Sequence, residues 1–73
     1  MEPVILEELK KEMKKSIVKE DSIVLTAKFI DSLLKILGHA VASIENGNVY
    51  EAKEILSEAG ELLYQNYKSI LVE

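Results

Sequence analysis

Cysteine, arginine and tryptophan are absent from this 73-residue sequence, and proline, phenylalanine and histidine occur once each. Without cysteine there can be no disulfide and no thiolate metal site, so packing or association must supply the stability. A chain of this length buries only about 60% of the surface its unfolded form exposes, which leaves a thin margin. Without arginine, all nine basic residues are lysines. The planar fork that reads phosphates and carboxylates bidentately is therefore missing. No run of eighteen apolar residues occurs, and the N-terminus has no signal-peptide core. The expectation is a cytoplasmic protein with no membrane segment.

What is present is a globular balance, 48% apolar and 30% charged, with a net charge of −4. The charge is uneven. Residues 1–19 carry five lysines against four glutamates, and residues 45–73 carry six glutamates against two lysines. An acidic chain with an acidic last third is a poor nucleic-acid binder.

The clearest local signal is Glu45-Asn46-Gly47-Asn48-Val49-Tyr50-Glu51. Gly47 can take the left-handed conformation that closes a helix. Asn48 can cap the next helix, with Glu51 three residues on to reach back to the cap's backbone N–H. Helical apolar spacing lies on both sides. Upstream, Glu2-Pro3 starts a helix, since proline is tolerated at its first position. Leu6, Leu9, Met13 and Ile17 recur at three- and four-residue spacing and predict helix 3–18, with Glu7 and Lys11 as a supporting pair.

Asp21 or Ser22 can cap a second helix, predicted over 22–45. Its main apolar stripe is Ile23, Ala27, Ile30, Leu34, Leu37, Val41 and Ile44, and a second stripe is Leu25, Phe29, Leu33, Ile36 and Ala40. Together they cover roughly 200° of the helix, beyond the ~100° that a singly packed surface helix needs. A third helix is predicted over 49–71, with Ala52, Ile55, Leu56, Ala59, Leu62, Leu63, Tyr67 and Ile70 inward and Glu51, Glu54, Glu58 and Glu61 outward. The expected fold is all-α: one domain, residues 1–73, built as an antiparallel three-helix bundle from a short first helix and a long helical hairpin.

The run Gly47-Asn48-Val49-Tyr50-Glu51-Ala52, followed by Ile55, Leu56, Ala59, Leu62 and Leu63, resembles the helical hairpin of archaeal translin-like proteins. It is also similar to a small archaeal family of unknown function with one short and two long helices, and to the turn of MIT domains. Translin-like resemblance implies RNA or single-stranded DNA binding, and MIT resemblance implies binding of peptide helices. In size and helix lengths the unknown-function family fits best, and it implies a fold without an activity.

Chemistry is sparse. His39 has no second histidine and no Glu-x-x-His pattern beside it, so it reads as a boundary residue rather than a base or metal ligand. The glutamate row reads as a solvated face. No phosphate loop, nucleophile motif or dinucleotide fingerprint occurs. The sequence therefore predicts a non-enzymatic module with no catalytic, cofactor or metal residues. Its main feature is excess apolar surface on the second helix, predicted as a protein–protein or homodimer interface at Leu25, Phe29, Leu33, Ile36 and Ala40. Nucleic-acid binding through Lys10, Lys11, Lys14, Lys15 and Lys19 is the alternative.

Overall fold

The computed structural model describes residues 4–20 and 22–71, with the side chains of residues 69 and 71 excepted. In chain order it contains α1 (Val4–Met13), β1 (Ile17–Lys19), β2 (Ser22–Val24), α2 (Ala27–Glu45) and α3 (Val49–Leu71). Three helices are present among the described residues, as expected, but Ile17–Lys19 and Ser22–Val24 form a two-stranded antiparallel ribbon. The protein is mainly helical rather than a pure three-helix bundle. The expected start at Glu2-Pro3 and the expected cap at Asp21 lie outside the described residues.

The ribbon corrects the helix boundaries 3–18 and 22–45. Its register pairs Ile17 with Val24, Val18 with Ile23 and Lys19 with Ser22. Ile-Val stands on each side of a polar turn. β-Branched side chains lose rotamer freedom in a helix and fit a pleated surface, so the local preference is for strand. Ser16 separates α1 from the ribbon. Its hydroxyl donates to the Met13 carbonyl at 2.7 Å and lies 2.9 Å from the Tyr67 hydroxyl. A serine hydroxyl has one proton. Tyr67 is therefore the donor in the second bond, which ties the end of α1 to α3.

The core lies where α1 meets the hairpin of α2 and α3. Leu6, Leu9 and Met13 of α1, Phe29, Ile36 and Ala40 of α2, and Ala52, Ile55, Ala59 and Tyr67 of α3 are all buried. Phe29 and Tyr67 meet edge to face, with centroids 6.2 Å apart and planes at 64°. The alanines let α3 approach closely, and the glutamates at 51, 54, 58 and 61 are exposed, as their spacing predicts.

The reversal at Gly47 forms as expected, with one change of partners. Gly47 has φ +82°. Its N–H donates to the Ile44 carbonyl at 3.0 Å, and the Asn48 N–H donates to the Ser43 carbonyl at 2.7 Å. These are the two crossed bonds that close a helix through a left-handed residue. Asn48 Oδ1 accepts from the Glu51 N–H at 3.1 Å. Since the cap's own N–H is already bonded, the Glu51 carboxylate turns elsewhere. It accepts from Asn48 Nδ2, accepts from the Ser43 hydroxyl at 3.0 Å, and sits 3.0 Å from His39 Nε2. Glu51 thus fastens the start of α3 to the inner edge of α2.

A second fastening holds the other end of α2. Thr26, rather than Ser22, is the N-cap: its Oγ1 accepts from the Phe29 N–H at 3.0 Å and donates to Glu12 Oε1 at 2.9 Å. The other Glu12 oxygen is 3.3 Å from Lys15 Nζ. The Thr26 hydrogen bond, helped by Lys15 and opposed by partial burial, holds the Glu12 carboxyl below the usual glutamate range. A lowered folded pKa stabilises the fold above the unfolded pKa of about 4.3, and that contribution is lost as pH falls through the lower folded value. Glu12→Gln should therefore lose less thermal stability than wild type between neutral pH and pH below about 4. Parallel melting-temperature profiles for the two proteins would contradict this.

Candidate functional site

The two ends of α2 are pinned on the same side, through Thr26–Glu12 and Ser43–Glu51, and this decides which face turns inward. Phe29, Ser32, Ile36, Ala40 and Ser43 are the buried residues of α2. Phe29 and Ile36 are 2% exposed, and Leu33 is partly buried against the core. Leu25 stays at the edge at 37% exposure. The interface predicted at Leu25, Phe29, Leu33, Ile36 and Ala40 is thereby corrected, because most of that stripe is covered by the chain's own α1 and α3. Serine and alanine on this face allow close approach by two neighbours, and the serine hydroxyl at 43 is satisfied by Glu51.

The stripe expected inward is the one left open. Ile30, Leu34, Leu37, Val41 and Ile44 are between 46% and 62% exposed. At 100° per residue this row lies about 130° around the helix from the buried one, out of reach of α1 and α3. The spacing is 4-3-4-3, the seam pattern of a helix that packs along a partner helix. Five side chains at about half exposure leave on the order of 400–500 Å² of apolar surface, at the upper end of what a monomer carries. Covering the exposed half of each would contribute roughly 1 kcal/mol. The sequence signal for this face was the strict heptad spacing itself, which runs unbroken from Ala27 to Ile44.

Gly38 adds a second feature to the same face. A methyl group built at Gly38 meets nothing within 4 Å. Glycine inside a helix costs about 0.5–1 kcal/mol relative to alanine. Nothing within the chain requires that cost. Leu34, Leu37, Gly38 and Val41 stand at i, i+3, i+4 and i+7, the four positions that frame a hole for an incoming side chain. With glycine as one wall, the hole is open and deep. Leu56 and Val49 of α3 are also exposed.

The remaining candidates are ordinary. Lys15 pairs with Glu12, and Lys10 lies 4.0 Å from Glu7, which takes the place of the expected Glu7–Lys11 pair. The groove between α1 and α2 mixes Glu8, Glu12 and Asp31 with Lys11, Lys28 and Lys35. Asp31 bonds Lys35 at 3.1 Å and raises its pKa. Among the described residues, no group of three or more His, Asp or Glu is placed to hold a metal ion. No helix among them is long and apolar enough to cross a membrane. Tyr64 is exposed, and His39 faces Glu51 across the hairpin. Comparison with protein-family models, curated proteins and solved structures gave no match.

Proposed function

We propose that this protein is a non-enzymatic interaction module that works through the open face of α2. The observation that carries the reading is the heptad row Ile30, Leu34, Leu37, Val41 and Ile44, apolar throughout and uncovered by the chain itself. A row so spaced accepts another helix, and leaving it in water disfavours the lone chain. Surface aliphatics are normal when scattered; five in one seam are a contiguous patch.

Light scattering on a sizing column, with far-UV circular dichroism alongside, tests this. Wild type should elute above the 8.2 kDa chain mass. Leu34→Lys should elute as a folded single chain, since Leu34 is 62% exposed and lysine is tolerated on a helix surface. An association that survives this change unaltered would place the interaction on another surface. Loss of helix in the variant would show that Leu34 belongs to the core.

A further inference from the structure

We infer that the occupant of this face is a second copy of the chain, lying antiparallel, with a two-fold axis beside Leu37 and Gly38. This rests on the reading of α2 as the interaction face and specifies its partner. The first ground is self-complementarity. An isologous interface must match itself when turned about the axis. Reversed about Leu37, the row places Ile30 opposite Ile44 of the second copy, Leu34 opposite Val41 and Leu37 opposite itself. Every layer is aliphatic on both sides, and the two outer layers are identical in composition.

Gly38 is the second ground. It lies next to the centre of the row, the one place where an antiparallel crossing brings the two helices closest. An open glycine there lets each Leu37 side chain sink into the hole framed by Leu34, Leu37, Gly38 and Val41 of the other copy. A crossing displaced toward either end would bring the side chain at 31 or 45 into that contact, and both are acidic. Area is the third ground. Two copies of this face remove on the order of 1,000 Å², the floor that a specific interface clears.

The absence of native cysteine makes disulfide cross-linking a clean test. In the antiparallel pair residue 30 lies beside residue 44 of the other copy, and the two copies of residue 30 are about 20 Å apart, well beyond disulfide reach. Ile30→Cys and Ile44→Cys should each stay uncross-linked alone and form a disulfide-linked dimer when mixed, refolded and oxidised. Leu34→Cys mixed with Val41→Cys provides an independent second pair, and Val18→Cys on the ribbon should remain monomeric. Dichroism checks that each variant is folded. Self-linking by Ile30→Cys alone would overturn the antiparallel arrangement and leave the α2 face standing as the interface. No link in either mixture would overturn the second copy as occupant. Linking through Val18→Cys and not through α2 would overturn both the inference and the reading beneath it.

Discussion

Phe29→Ala should cost about 3–5 kcal/mol, a large share of the stability of so small a domain. A domain of this size has a total stability of only about 4–11 kcal/mol. Phe29 is the only phenylalanine, it is 2% exposed, and its ring meets Tyr67 edge to face between α2 and α3. Its backbone N–H also closes the Thr26 cap, so a disturbed position at 29 loosens the fastening to Glu12. Removing the ring leaves a cavity beside Ile23, Leu63 and Tyr67. The control on the same helix is Leu34→Ala, at a position 62% exposed. Measured on the single chain, that change should be within about 0.5 kcal/mol of neutral. Urea unfolding of the two variants checks the contrast, and equal losses would mean that Leu34 is as much a core residue as Phe29.

The second large effect is on association. Leu37→Lys alters both copies at the point where the residue faces itself. Each copy loses roughly 1 kcal/mol of apolar burial, and two ammonium groups are brought together in a site that excludes water. The dissociation constant should rise about 100-fold or more, since each tenfold step is about 1.4 kcal/mol. Helix content should be unchanged, because Leu37 is 54% exposed in the single chain. Dilution monitored by fluorescence anisotropy of a labelled chain gives the constant directly. A rise of only a few-fold would move the axis away from Leu37.

Much of this architecture is legible in the sequence, and the parts that are not have identifiable physical causes. The Gly47–Asn48 reversal, the Leu6-Leu9-Met13 stripe and the Ala52 and Ala59 positions depend on residues within about two helical turns of each other, and local rules suffice for those. The ribbon escaped because Ile17 falls four residues after Met13 and so continues a helical period. The signal against it is two Ile-Val pairs flanking Lys19-Glu20, where strand preference outweighs spacing. On α2 the periodicity shows two apolar stripes and cannot rank them. Size favours the row of Ile30, Leu34, Leu37, Val41 and Ile44, but small polar groups decide the outcome. Ser32 and Ser43 lie on the buried face because α1 and α3 can approach them closely, and Thr26 and Glu51 hold that face inward by hydrogen bonds from each end. Excess apolar surface on α2 was thus readable, whereas its location depended on which serines would be satisfied.

The Ile30–Ile44 row is held to be an interface between copies, and an isotope-filtered nuclear Overhauser experiment on mixed labelled and unlabelled chains reports on that contact directly. The methyl groups of Leu37 should show cross-peaks to Leu37, Leu34 and Val41 of the other copy, and those of Ile30 should show cross-peaks to Ile44. Intermolecular peaks confined to Ile17, Val18 and Val24, or none at all at millimolar concentration, would contradict it.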